Sequence, residues 1–91
     1  PHAVDAIREA VRAADPAAEI WLHGSRTDDT ARGGDIDLLV VSDTLAFRDV
    51  LRLRRAILDR IGWQQLHLTV RRRAELNDPF AAACLSTGIR L

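Results

Sequence analysis

The first third of the chain changes from a helical to an extended pattern of apolar residues. Near its start, apolar side chains recur at the spacing of one helix face; they are Val4, Ile7, Val11 and Ala14. Asp15-Pro16 ends this pattern, because proline cannot continue a helix. The short, bulky segment 19–23 then predicts a strand closed by Gly24, and a polar segment follows as far as Gly33-Gly34. We therefore expect a helix, a strand and a polar loop.

A second strand and a second helix are predicted for the middle of the chain. Residues 36–41 are apolar enough to be buried on both faces of a sheet. The helix is predicted over 46–61, with Gly62 as its cap. Its expected inner stripe consists of Phe47, Val50, Leu51, Ile57, Leu58 and Ile61, whereas Arg48, Arg52, Arg55 and Asp59 are expected to face water.

The last third of the chain alternates first and then becomes helical again. Within 63–71 the alternation predicts a strand with two unlike faces, formed by Leu66, Leu68 and Val70 on one side and by Gln65, His67 and Thr69 on the other. Asn77-Asp78-Pro79 predicts a helix start, and Gly88 precedes a short final strand. This order of elements predicts an α/β (α+β) fold, a small mixed sheet with its helices packed on one face.

Length, charge and cysteine content narrow the class of protein. The 91 residues suffice for one domain and not for two, so we expect one domain over 1–91. Basic and acidic residues balance at 13 each, which makes a nucleic-acid partner unlikely because such binding needs surplus positive charge. We expect no membrane span and no export leader. The single Cys84 lies in an apolar run and is expected in the core, which indicates a reducing, cytoplasmic location.

Two short polar motifs carry the candidate chemistry. Asp35 and Asp37 are two residues apart at the start of a predicted strand, so their side chains point to the same face. Two like charges held this close favour a cation between them, and oxygen ligands suit Mg²⁺. Gly24-Ser25 directly follows the preceding strand, where glycine lets the backbone approach a phosphate and serine supplies a donor. Each motif alone is common; together, on adjacent strands, they form a much more specific signal for a site that binds phosphate and metal.

Three segments carry a resemblance to a known family. They are Leu22-His23-Gly24-Ser25-Arg26, Asp35-Ile36-Asp37-Leu38-Leu39-Val40 and the ending Asp78-Pro79-Phe80 … Gly88-Ile89-Arg90-Leu91. In these segments, and in the helices around them, the chain resembles the minimal nucleotidyltransferases of the DNA polymerase beta-like superfamily. The resemblance covers nearly the whole chain and is most specific at the Gly-Ser … Asp-x-Asp motif. It implies the polymerase beta-like nucleotidyltransferase fold.

The resemblance also implies an activity and its residues. Gly24 and Ser25 are expected to bind the triphosphate, with Arg26 as a further phosphate partner, and Asp35 and Asp37 to bind the catalytic metal. Members of the family transfer a nucleoside monophosphate to a hydroxyl group and release pyrophosphate. The implied donor is ATP with Mg²⁺ or Mn²⁺. Minimal members are often encoded beside a HEPN-type ribonuclease toxin and nucleotidylate it as antitoxins, so such a toxin is the implied protein partner.

One part of the family pattern differs in this sequence. The family places a third carboxylate on the next strand, and the corresponding position here is His67, in a strand without Asp or Glu. Histidine can act as a base near neutral pH, so His67 is counted with the catalytic residues. As a metal ligand it suits Mn²⁺ or Zn²⁺ better than Mg²⁺. The same difference is also consistent with a protein that binds nucleotide but turns over poorly.

Three functions remain open on the sequence. The first is an enzyme that transfers a nucleotide to a macromolecular acceptor, since 91 residues leave no room for a separate substrate-recognition domain. The second is a catalytically weakened antitoxin that acts by binding its partner directly, which the His67 position favours. The third is a structural domain in which the Gly-Ser and Asp-x-Asp motifs only shape turns.

Other polar and aromatic residues have two interpretations each. His23 is expected to be packed and hydrogen-bonded, although its position beside the Gly-Ser motif would also let it reach a nucleotide. Trp21 and Trp63 are expected to be core or partner-facing residues, with stacking on a nucleotide base as the less favoured alternative. Arg71-Arg72-Arg73 is expected to be a solvated strand end, with a phosphate contact as the less favoured alternative. Asp43 lies at the far end of its strand from the Asp-x-Asp motif, which argues against a metal role.

Overall fold

The computed structural model describes residues 2–23, 36–62 and 65–91. Three α-helices, four strands and one 3₁₀ helix make up these residues. In chain order they are α1 (His2–Ala14), β1 (Glu19–His23), β2 (Ile36–Val41), α2 (Phe47–Ile61), β3 (Leu66–Arg71), the 3₁₀ helix Arg73–Glu75, α3 (Pro79–Thr87) and β4 (Ile89–Arg90). The predicted order of elements is confirmed, including the short final strand.

The four strands form one mixed sheet in the order β3-β2-β1-β4. β1 is antiparallel to both β2 and β4, whereas β2 and β3 are parallel and are joined through α2. A parallel pair needs such a crossover connection, because its second strand must start at the same end of the sheet as the first. The mixed α/β class predicted from the sequence is therefore confirmed, with β2 as a central strand.

The larger core lies between one sheet face and helices α1 and α2. Side chains from alternate positions of β1, β2 and β3 meet the apolar faces of both helices there. The buried residues are Ile7, Ala10, Val11, Ile20, Leu22, Ile36, Leu38, Val40, Leu53, Ile57 and Leu66. Full burial of one such Leu, Ile or Val side chain contributes about 1.5–3 kcal/mol. This layer is therefore the main source of stability in the described residues.

The expectation that all helices pack on one face of the sheet is wrong. Helix α3 covers the opposite face, where Leu39 and Val41 pack against Ala81 and Cys84. The physical reason lies in β2, which is apolar at successive positions and so needs cover on both faces. With α1 and α2 on the first face, α3 supplies that cover on the second.

The predicted inner stripe of α2 is wrong at two positions. Phe47 is 78% exposed and Leu51 is 52% exposed, whereas Leu53, absent from the predicted stripe, is buried beside Ile57. The apolar residues of α2 span a wider arc than the surface that the sheet and α1 cover. Periodicity alone does not tell which edge of such a wide arc stays in contact with solvent.

The ends of two helices follow the predicted cap residues. At the end of α2, Gly62 has a φ of 82°, which glycine adopts without steric cost, and its N–H donates to the Leu58 carbonyl at 2.9 Å. At the start of α3, Asp78 Oδ1 accepts from the Ala81 N–H at 2.9 Å and Pro79 occupies the first helical position. With these bounds, no helix in the described part of the chain is long and apolar enough to cross a membrane.

A buried polar pair joins the turns at the Val41 end of β2. The Ser42 hydroxyl donates to Asp15 Oδ2 at 2.6 Å, and the Ala17 N–H donates to Asp15 Oδ1 at 2.9 Å. Ser42 Oγ in turn accepts from the N–H groups of Thr44 and Leu45, both at 3.2 Å. The hydrogen bond from Ser42, followed by that from Ala17, lowers the pKa of Asp15 although burial opposes this. Asp15 therefore has a structural role that helix periodicity did not predict.

Candidate nucleotidyl-transfer site

Three polar residues lie side by side on neighbouring strands at one end of the sheet. Asp37 is the register partner of His23 across the antiparallel β1–β2 pair. It is also the register partner of His67 across the parallel β2–β3 pair. Side chains of register partners share a sheet face, and adjacent strands are only about 4.8 Å apart. The fold thus brings two imidazoles to either side of one carboxylate.

This row lies on the sheet face that α3 covers. Asp37, Leu39 and Val41 alternate along β2 and therefore point the same way, and the last two pack against α3. The raised pKa of the Cys84 thiol is consistent with this placement. Burial raises that pKa, and the negative charge of Asp37 raises it further. Asp37 is half-buried and His67 is exposed, so solvent reaches both side chains.

His23 is held at the edge of the row by packing. Its ring meets Phe80 of α3 edge-on, with centroids 5.8 Å apart and planes at 82°. The expected packing of His23 is therefore found. Its Nδ1 is buried and has no hydrogen-bond partner among the described residues, so the expected hydrogen bond is not found at that atom.

Four of the predicted site residues lie outside the described residues: Gly24, Ser25, Arg26 and Asp35. Their proposed roles in binding phosphate and metal therefore stay predictions. Of the predicted catalytic residues, the structure describes Asp37 and His67 and brings them together. In the part of the chain that is described, no three His, Cys, Asp or Glu side chains are grouped so as to hold a metal ion. A complete metal shell would thus need Asp35, phosphate oxygens or water.

Asp43, the acid that follows the other end of β2, has a structural partner. Its Oδ2 lies 3.0 Å from Arg73 Nη1, and its Oδ1 accepts from the Arg73 N–H at 3.0 Å. These two hydrogen bonds, that from the backbone first, lower the pKa of Asp43. Asp43 follows the Val41 end of the strand, opposite the end that carries Asp37. The expectation that Asp43 does not replace the missing carboxylate agrees with this geometry.

The arginine run after β3 is tied into the fold. Arg71 Nε donates to Asp78 Oδ2 at 2.8 Å. Arg73 Nη2 lies 3.8 Å from Glu19 Oε2, and Arg73 also pairs with Asp43. The sequence allows a solvated strand end or a phosphate contact for this run. The expected solvated end is found in part, because Arg72 and Arg73 are exposed. In addition, Arg71 and Arg73 are paired with acids from other parts of the chain.

The aromatic and thiol residues on the α3 face serve the packing. Cys84 is buried with Leu39 and Val41, as its apolar surroundings predicted. Trp21 is partly buried against the same cluster, and Arg90 lies 6.0 Å from its ring centroid in a cation–π contact. These contacts make Trp21 a core aromatic, while Trp63 lies outside the described residues.

The sequence did not predict that α3 packs on the sheet face that carries Asp37. The sequence pattern places Phe80 only in an apolar helical segment, yet its ring fixes His23 next to the row. A usable sign is present in β2, because the apolar residues on both sides of that strand require a cover for the Asp37 face. In the structure, α3 provides this cover.

Comparison with known proteins identifies the family of this chain. The family model described as a nucleotidyltransferase domain matches residues 4–81, which include β1, β2, β3 and the segments between them. No curated protein matches the chain. The match covers most of the chain and confirms the superfamily that the Gly-Ser … Asp-x-Asp motif indicated. The chain therefore belongs to the nucleotidyltransferase domain family.

Proposed function

We propose that this chain is a metal-dependent nucleotidyltransferase that moves AMP from ATP to a hydroxyl group of a macromolecular acceptor. The observation that carries the proposal is the register of Asp37 with His67. It puts a carboxylate and an imidazole on one sheet face, at the strand end joined to residues 24–35. Family membership supports nucleotidyl transfer in general. The nucleotide AMP, the macromolecular acceptor and the metal are the parts that we propose.

The donor set of this site fits a divalent cation. A carboxylate and an imidazole at neighbouring positions match the ligands of Mn²⁺ better than the oxygen-only shell that Mg²⁺ prefers. We assign Asp35 and Asp37 as metal ligands, with His67 as a further ligand or as a base. A bound cation would neutralise charge on the triphosphate and on the leaving pyrophosphate. The half-burial of Asp37 keeps its carboxylate reachable from solvent.

The chain's own residues then have distinct tasks. Gly24, Ser25 and Arg26 bind the phosphates, so that the α-phosphorus faces the acceptor. His67, exposed beside Asp37, takes the proton of the attacking hydroxyl. The hydroxyl oxygen bonds to the α-phosphorus while the bond to the bridging oxygen of pyrophosphate breaks. Catalysis by such a site consists mainly of positioning and charge neutralisation.

We propose a protein as acceptor, specifically a HEPN-type toxin encoded beside this chain. The support for this choice is the likeness to minimal nucleotidyltransferases. A macromolecular acceptor can bring its own binding surface to the transferase. Direct binding of such a partner without chemistry is the alternative that the experiment must distinguish.

The test is the intact mass of the neighbouring gene's protein after incubation with the chain, ATP and Mg²⁺ or Mn²⁺. We expect the mass to rise by one nucleoside monophosphate, faster with Mn²⁺ than with Mg²⁺. Asp37→Ala should abolish the gain. Asp43→Ala is the matched control, because it removes a carboxylate at the other end of β2 and should leave the gain intact.

Three results would change the proposal. Modification that survives Asp37→Ala would remove Asp37 from the metal site. No mass gain, but a stable complex of the two proteins that also forms with Asp37→Ala, would favour the binding-only antitoxin. An unchanged rate in His67→Ala would remove His67 as base, whereas a faster His67→Asp would show that the histidine limits turnover.

A further inference from the structure

The outer side of α2 exposes two large apolar residues one helical turn apart. Phe47 is 78% exposed and Leu51 is 52% exposed, while Leu53 and Ile57 on the inner side are buried. Residues four apart on a helix stack one above the other, so Phe47 and Leu51 form a continuous ridge. Single exposed apolar residues are common and need no explanation. A continuous apolar ridge is different, because it leaves a larger apolar area in contact with water, and such areas often mark interaction sites.

Two arginines run beside this ridge with the same spacing. Arg48 and Arg52 are exposed, and neither forms an ion pair within the described residues. Their neighbour Arg55 differs, because its Nε lies 3.2 Å from Asp59 Oδ1. The helix thus presents an apolar ridge and a basic ridge side by side. We call Phe47, Leu51, Arg48 and Arg52 the Phe47 surface.

A depression adjoins the Phe47 surface. Its volume is about 220 Å³, and its lining includes Leu45, Phe47, Val50 and Val70 together with the charged residues Arg71, Arg72 and Glu75. This volume is below the range usual for small-molecule sites, which begins at about 300 Å³. It suits an apolar side chain inserted from a neighbouring molecule.

The charges favour one kind of occupant over the others. A second copy of the chain would bring like charges together, because α2 carries five arginines and two aspartates. A membrane-binding helix needs a broad apolar face with basic flanks, whereas the exposed ridge here consists of two residues. Nucleic acid would pair with the arginines but would leave the apolar ridge in water. An acidic protein surface matches both ridges.

We propose that the Phe47 surface binds an amphipathic helix of a partner protein. Its apolar stripe packs on Phe47 and Leu51, and its carboxylates pair with Arg48 and Arg52. A helix fits because the two ridges follow the i, i+4 rows into which the ridges of a second helix interdigitate. Aromatic and arginine side chains are also the residue types that dominate binding energy at protein interfaces.

This surface is separate from the candidate nucleotidyl-transfer site. Asp37 lies on the sheet face covered by α3, whereas α2 packs on the opposite face. Phe47 also follows the Val41 end of β2, away from Asp37. A helix bound there leaves the transfer site open, so the inference does not rest on the proposed activity. Asp37→Ala should keep the binding.

The experiment selects binders for the full chain from a displayed library of helical peptides. Each peptide has Leu at two positions one turn apart, and the flanking positions vary among Glu, Gln and Lys. We expect Glu to be enriched beside the leucines. Phe47→Ser should weaken the selected peptides by about tenfold or more in fluorescence anisotropy, since loss of an interface anchor costs at least that much. The exposure of Phe47 means that this change leaves the core intact.

Charge reversal gives the sharper test. Arg48→Glu with Arg52→Glu should abolish selection of acidic peptides and enrich Lys at the same positions. For a matched single change, Arg52→Glu should weaken acidic peptides while Arg12→Glu, which changes an exposed arginine on α1, should not. Circular dichroism of each variant confirms that the fold is kept.

Several outcomes would overturn the proposal. Selected peptides without a charge preference, or with affinity unchanged by Phe47→Ser, would show that this surface is not the site. A dimer that Phe47→Ser dissociates in analytical ultracentrifugation would make a second copy the occupant. Binding to anionic phosphatidylserine vesicles or to duplex DNA that depends on Arg48 and Arg52, without any acidic peptide binder, would assign the surface to a membrane or to nucleic acid.

Discussion

The two ends of β2 carry carboxylates that differ in their partners. At the Val41 end, Asp15 accepts hydrogen bonds from Ser42 and Ala17, and Asp43 pairs with Arg73. At the other end, the Asp37 carboxylate has no hydrogen bond or ion pair among the described residues. Its register neighbours in the sheet are two histidines, a residue type that proteins use as a metal ligand or as a base.

This difference separates carboxylates that the fold has paired from a carboxylate that it has not. A carboxylate that the fold has paired contributes to stability, and its loss should affect unfolding. An unpaired, half-buried carboxylate contributes little to the fold, which is consistent with the metal role that we propose for Asp37. The same reasoning applies to α2, where Arg55 is paired while Arg48 and Arg52 have no acidic partner in the described part of the chain.

The largest expected effect is on activity at the Asp37 end. Asp37→Asn should lower the rate of nucleotidyl transfer by about 10²-fold or more, because it removes charge stabilisation from the site. Mn²⁺ binding, measured by electron paramagnetic resonance, should weaken in parallel. The midpoint of thermal unfolding should stay within error of the wild type. A large drop in that midpoint would show that Asp37 is structural after all.

The next effect is on stability at the Val41 end. Ser42→Ala removes the donor to a buried carboxylate and should lower the free energy of unfolding by about 2 kcal/mol. Urea unfolding followed by circular dichroism measures this value. Transfer activity at temperatures below unfolding should not change. A loss below about 0.5 kcal/mol would mean that water replaces the hydroxyl without cost.

Acid should reduce the effect of Ser42→Ala. The pKa of Asp15 is lowered in the folded protein, so its charged form contributes stability above the unfolded-state value of about 3.9. That contribution is lost as the pH falls through the lower folded-state pKa. The gap in unfolding free energy between wild type and Ser42→Ala should therefore be full at neutral pH and shrink below about pH 3.9. A gap that widens in acid would contradict this assignment.

The smallest effect is expected for Asp43. Its ion pair with Arg73 is solvent-exposed, and such pairs contribute little because water and salt screen them. Asp43→Ala should shift the thermal midpoint less than Ser42→Ala does, and high salt should remove the difference from wild type. Transfer activity should be unchanged. Activity lost in Asp43→Ala with the fold intact would move the proposed metal site along β2.

Local chemistry explains the parts of the fold that the sequence predicts well. The apolar run of β2, the apolar face of β3 and the caps Gly62 and Asp78 each follow from the side chains at those positions, and each is found. The prediction for the outer edge of α2 is wrong, because the exposure of Phe47 depends on what surrounds the helix. For the same reason the sequence does not place α3 on the second sheet face.

The candidate site likewise depends partly on sequence features and partly on tertiary contacts. The Asp-x-Asp spacing and the position of His67 are sequence features, and the motif indicates the family without knowledge of which strands are neighbours. The alignment of His67 with Asp37 comes from the parallel register of β2 and β3. The approach of Phe80 to His23 comes from the packing of α3. These contacts join residues far apart in the chain.

By itself, the sequence determined the elements of this protein, their order and the family to which it belongs. Those properties depend on short-range periodicity, on cap residues and on a compact motif. Only the tertiary structure decided which carboxylates are paired, which face each helix covers and which side of α2 remains exposed. The physical reason is that pairing and burial depend on neighbours brought together by folding, and a residue's own type does not specify them.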